Sequence, residues 1–163
     1  MAARKGPGRK PAASGSVGPG EFVVYPGVPT GIYELLERLS AAAGDSPEFG
    51  SPGIGLDRKR LIVRWFGDLP KAIQQVVAAA GEGFTVLVES TEYRPGDLRA
   101  EAERLVREHA AVVQSATARP EGDGIDVLVR PAVAEAAGGP EQAVTGVPRN
   151  FPLFPEVGEA PAS

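Results

Sequence analysis

The stretch "RLIVRWFGDLPKAIQQVVAAAGEGFTVLVES", residues 60–90, decides the architecture of this chain. Leu61, Val63 and Trp65 alternate with other side chains at a period of two, and Phe84, Val86 and Val88 do the same, which is the signature of strands. Between the two runs Leu69, Ile73, Val76, Val77 and Ala80 recur at helical spacing. Asp68 is placed to cap that helix, Pro70 suits its first turn, and Gly81 and Gly83 stop it. The segment therefore reads as strand, helix, strand with little slack.

Outward from it the pattern continues. "GIGLD" and "RLIVRWF" flank Arg58-Lys59 and read as a hairpin. After residue 89, "YRPGD" turns into a helix from about Leu98 to Val112, and "VVQSATARPEGDGIDVLVR" reads as a second hairpin turning at 121–124. Upstream, "TGIYELLERLSAAAG" (30–44) puts Ile32, Leu35, Leu36, Leu39 and Ala43 on one face, with Thr30 as a cap and Gly44 as a stop. The fold class expected is α/β in the sense of an α+β sandwich, a mixed sheet in ββαβαββ order with two helices on one face. An N-terminal helix and disordered tails complete it.

Four segments follow: a disordered basic tail at 1–20, an extended segment and amphipathic helix at 21–53, a compact α/β domain at 54–130, and a disordered Pro/Ala/Gly-rich tail at 131–163. Both ends lack the periodic apolar surface that offsets the entropy of ordering a chain. The last segment carries Pro131, Pro140, Pro148, Pro152, Pro155 and Pro161.

Charge narrows the function classes. The chain is net −4, distributed as +4 over residues 1–20, −5 over 21–130 and −3 over 131–163. A net-negative folded part argues against a surface that tracks nucleic-acid phosphates. Only the basic tail offers a nucleic-acid contact: "RKGPGRKP" faintly resembles an AT-hook but lacks the second arginine before the proline that such hooks use to enter the minor groove, and a plain solubilising tail is the alternative. There is no cysteine, so disulfide and thiol chemistry are excluded. No apolar run approaches the roughly 20 residues of a membrane span, and no apolar stretch follows the basic start as in a secretory signal. A cytoplasmic setting, with no membrane partner, is the expectation. Arginine outnumbers lysine 13 to 4, a usage expected of a GC-rich bacterial or phage genome.

No motif rises to catalysis. A dinucleotide site needs glycines in the strand-to-helix turn, but that turn is "GDLP", with an acid where phosphate would sit and a proline that removes a donor. The single histidine, His109, lies on or beside an apolar helical stripe, the place of a core-edge residue. Ser51 precedes a proline in a loop and is no nucleophile elbow. Glu101, Glu103 and Glu108 alternate with Arg99, Arg104 and Arg107, the pattern of a solvated helix face, and Glu89 and Glu92 have no visible acid–base partner. No catalytic, cofactor-binding or metal residue is assigned, and no cofactor is expected.

Two apolar sets remain. Opposite the core face of the strands lie Ile62, Arg64 and Phe66; Thr85, Leu87 and Glu89; Asp126, Leu128 and Arg130. Phe66, Leu87 and Leu128 are the apolar remnant of this half-polar face, accounted for either by the helix at 30–43 folding over them or by a partner protein. In the tail, "NFPLFPEV" (150–157) sets Phe151, Leu153 and Phe154 among prolines, as docking segments do; the alternative is a tail lying on its own domain.

"GLDRKRLIVRW" (55–65) with "FTVLVESTEYRPGDLRAEAERL" (84–105) resembles the prodomain-like modules that accompany trypsin-like serine proteases in actinobacteria. The likeness spans about 54–130 and rests on Leu56, Asp57, Leu61, Val63, Val88, Tyr93 and Leu98. It implies an α/β module that assists or occludes a protease through a sheet edge or tail, and it supplies no catalytic residue. Neither a protease domain nor an export signal is expected in this chain, a departure from that pattern. The function expected is a non-enzymatic protein-binding module using a sheet face or the tail motif. The alternatives are a homo-oligomeric component of a bacterial or phage assembly and, behind it, a small-molecule enzyme working with carboxylates.

Overall fold

The computed structural model describes residues 27–160. The basic tail expected at 1–20, and the part of the extended segment before residue 27, lie outside the described residues. The fold is α+β, with two three-stranded mixed sheets. The described residues divide into two compact units, one made of residues 27–46 together with 51–90, the other of 47–50 together with 91–160.

The first unit begins with α1 (Thr30–Ala43), whose bounds match the apolar periodicity. Ile32, Leu35, Leu36 and Leu39 are buried along one stripe, and Gly44, at φ 57°, ends the helix in a conformation glycine adopts without steric cost. Thr30 makes no cap bond; Pro29 holds the cap position, and its carbonyl accepts from Ile32 N–H at 3.0 Å. β1 (Gly53–Ile54) and β2 (Arg60–Trp65) form the antiparallel hairpin. Its turn is fastened by Gly55 N–H to the Arg60 carbonyl at 2.8 Å and by Lys59 N–H to the Asp57 carboxylate at 3.0 Å. α2 (Lys71–Ala78) follows, entered through Pro70 with no side-chain bond from Asp68, and it lies against α1. β3 (Thr85–Ser90) then pairs with β2 in parallel, giving the order β1-β2-β3.

The second unit has the same plan. α3 (Pro95–Glu108) starts and stops earlier than the 98–112 expected, because Pro95 occupies a first-turn position and the backbone leaves helical geometry at His109. β4 (Val113–Ala118) and β5 (Ile125–Val129) form the second antiparallel hairpin. α4 (Pro131–Ala137), α5 (Pro140–Ala143) and β6 (Leu153–Val157) complete the unit, with β6 parallel to β5 in the order β4-β5-β6. In both units a helix precedes an antiparallel hairpin, and a helical crossover returns a third strand parallel to the hairpin's second strand.

Three expectations are corrected. The segment at 131–163 is not a disordered tail over its described length. Pro131 and Pro140 stand in the first turns of α4 and α5, where a missing N–H breaks no helical bond, and Gly138, at φ 90°, closes α4. Ala134, Val144 and Val147 from this segment are buried with Leu98, Leu105, Val113, Ile125, Val127 and Val129. The boundary at 54–130 gives way for the same reason, since the second unit needs residues beyond 130 to close its core. The strands do not share one sheet, because β5 has β4 on one side and β6 on the other and offers no edge to β3. The two hairpins and both helices nevertheless keep the expected ββαβαββ order through residue 129.

Candidate functional site

A dense cluster of charged hydrogen bonds lies on α3. Glu101, only 5% exposed, accepts from Arg104 Nε at 2.8 Å and Nη2 at 2.9 Å, and from the Asn150 backbone N–H at 2.8 Å. Arg104 also donates to Glu108 at 3.0 Å and to the Pro148 carbonyl at 3.0 Å. Arg104 beside it, followed by the Asn150 donors, holds the Glu101 carboxyl below the ordinary carboxylate range, with burial pulling the other way. An open groove of about 450 Å³ borders this cluster, lined among others by Asp97, Arg107 and Phe151. Its charges are committed to one another and to the backbone that delivers β6, so the cluster is a clasp. Sequence reading placed Glu101 on a solvated face; its position three residues after Leu98 and four before Leu105, on the buried stripe, was the signal to the contrary.

The tail motif is part of the second unit's own structure. Phe151 packs edge-on against Tyr93, with ring centroids 5.2 Å apart at 68°, and both border the core. Leu153 is half-buried against the same core. The Arg119 guanidinium lies 3.9 Å from the centroid of Phe154, while Arg119 also bonds Asp123 at 2.8 Å and Asp126 at 2.9 Å. A Cβ on Gly124 would fall 2.7 Å from that ring, so Phe154 seats on a glycine. The prolines that suggested an extended docking segment instead flank and interrupt a strand, and the expected free tail is β6.

Phe66, Leu87 and Leu128 do not share a sheet face. Phe66 and Leu87 belong to the first unit, whereas Leu128 sits on the central strand of the second sheet, half-buried between Ser115 and Glu156. Phe66 is half-buried just past the end of β2. Leu87, 42% exposed, is therefore the member of the set that faces solvent.

It has company that alternation alone did not predict. Alternation puts Val63 and Val88 on the same face of the sheet, yet Val63 is fully buried and Val88 is 46% exposed. The two are cross-strand neighbours, so the cover over β2 does not reach β3. β3 is consequently open on both faces, and among the described residues no strand pairs with its outer edge. Glu89 is its one charged side chain, and it leans back on Arg64 of β2 at 3.5 Å.

The remaining polar candidates do not converge. His109 is half-buried at the end of α3, where its backbone carbonyl accepts from Val112 and Val113 N–H groups. Glu92 and Ser51 are exposed. Among the described residues no group of three or more His, Asp or Glu side chains is arranged to hold a metal, and no helix is long and apolar enough to cross a membrane. Comparison of the chain with protein-family models, with curated proteins and with solved structures returned no match in any of the three.

Proposed function

We propose that the chain is a non-enzymatic protein-binding module whose binding surface is β3. The observation that carries this reading is the exposure of Leu87 and Val88 on opposite faces of a strand whose outer edge is unpaired among the described residues. An open strand edge with apolar side chains on both faces offers a partner backbone hydrogen bonds and side-chain pockets at once. The resemblance to protease prodomains over 54–130 is compatible with this surface, since such modules meet their enzyme by a sheet edge or a tail. A cytoplasmic setting belongs to this reading.

A photo-crosslinking residue at position 87 tests it, compared in cells with the same residue at Leu56. Leu56 is fully exposed at the tip of the first hairpin, away from the edge, and so serves as control. Protein adducts at 87 that are absent at 56 support the reading. Equal adducts at both positions, or none at either, overturn it.

A further inference from the structure

Resting on that reading of β3, we infer that the protein which occupies this edge is a second copy of the same chain, paired antiparallel across a two-fold axis through Leu87. Among the described residues four strands lie at the edges of the two sheets, and three of them are unsuited to growth. β1 has only two residues. The pairing of β4 slips between Val113 and Ser115, which twists that strand. In β6, Ile125 donates to the Pro152 carbonyl at 3.0 Å and Gly158 to the Val129 carbonyl at 2.8 Å, so residues 153, 155 and 157 turn their backbone outward. The middle one is Pro155, which has no N–H to offer an incoming strand. Only β3 is long, regular and free of proline.

The backbone phase of β3 limits the possible registers. Thr85 N–H donates to the Lys59 carbonyl at 2.8 Å, so residues 85, 87 and 89 bond toward β2 and residues 86, 88 and 90 turn N–H and C=O outward. A two-fold axis perpendicular to the sheet keeps each residue on its own face, and outward residues must meet outward residues. With the axis at Leu87, Val86 meets Val88 of the second copy and the reverse, each pair exchanging two hydrogen bonds. Leu87 meets Leu87 in the close, non-bonded position between them.

The side chains agree. On one face the row runs Ile62, Leu87, Leu87, Ile62 across the two copies; on the other it runs Val63, Val88, Val86, Leu61. Glu89, already beside Arg64, comes opposite Thr85 of the second copy, whose hydroxyl can donate to it. A register with Val88 on the axis would instead set Leu87 against Glu89, taking a carboxylate out of water beside a leucine.

The chain has no cysteine, which makes the test direct. Opposed residues in a non-bonded antiparallel pair have Cα atoms about 4.5 Å apart, within disulfide reach. Under mild oxidation of the full chain, Leu87→Cys is expected to give a covalent pair, and Val88→Cys, whose copies lie offset, to give far less. Sedimentation equilibrium is expected to show twice the 16.9 kDa chain mass for the wild type and a single-chain mass for Val88→Lys with an unchanged melt. The cysteine comparison keeps the test independent of how the lysine variant folds. A single-chain wild type at millimolar concentration, or cross-linking at 88 as strong as at 87, overturns the inference. The adducts captured at position 87 in cells separate it from its premise: another protein's peptides there overturn the pair while the binding edge stands.

Discussion

Glu101 shows how much one side chain can hold. Its carboxylate joins α3 to the backbone at Asn150, just before β6, so the bond spans 49 residues of sequence. Because its folded pKa lies below the ordinary glutamate value of about 4.3, its contribution is complete above that value and is lost as pH falls through the lowered folded one. Glu101→Gln is expected to lower stability by about 1.5–3 kcal/mol at neutral pH and to flatten the fall in melting temperature toward acid, read by thermal denaturation across an acid series. A second residue-scale constraint is Gly122. At φ 75° a side chain is strained, and a Cβ would stand 2.3 Å from that of Thr91, which is buried with its hydroxyl donating to the Tyr93 carbonyl. Gly122→Ala is expected to cost at least about 1–3 kcal/mol from the backbone alone, measured by denaturant unfolding. Leu87 was legible from alternation, whereas Val88 was not. Alternation says which face a side chain takes, and says nothing of whether another element covers it.

At the scale of elements, periodic stretches were readable and punctuated ones were not. The stripe of α1 fixed its bounds, and both hairpins lie where alternating runs flank turn residues. The failure at 131–157 has a physical cause. Proline reads as a breaker in sequence, but Pro131 and Pro140 begin helices, and what this segment adds to the buried core is small groups, Ala134, Val144 and Val147, that produce little periodic signal. The division into two sheets was hidden because a strand alternates in the same way whichever neighbour it has. If β6 completes the second unit, a chain ending at Pro148 loses the Asn150 clasp, Phe151 and one whole neighbour of β5. Such a chain is expected to lose amide-exchange protection at Val127 and Val129 and to show diminished near-ultraviolet dichroism, while α1 keeps its protection.

At the scale of the whole chain, the two units are not simply consecutive. Residues 47–50 leave the first unit to join the second, where Phe49 is buried, the Pro47 carbonyl accepts from Gly96 N–H at 2.8 Å, and the Phe49 carbonyl accepts from Arg99 at 3.3 Å. Phe49→Ala is expected to destabilise by about 3–5 kcal/mol. The loss should appear as faster amide exchange at Leu98, Ala102 and Leu105, although the substitution lies more than 40 residues upstream in the sequence.

Pro155 sets the valence of self-assembly. A subunit with one joinable rim can only be consumed in pairs, and the pair then presents nothing for a third to grip. Two joinable rims on every subunit, each pairing with its like, would allow growth without an end. Replacing Pro155 by valine restores the missing donor on β6 and is expected to turn a solution of fixed particle mass into one whose light scattering climbs with time, a growth that Val88→Lys on the same chain should arrest at the chain's other rim. One imino ring thus stands between a counted particle and a polymer.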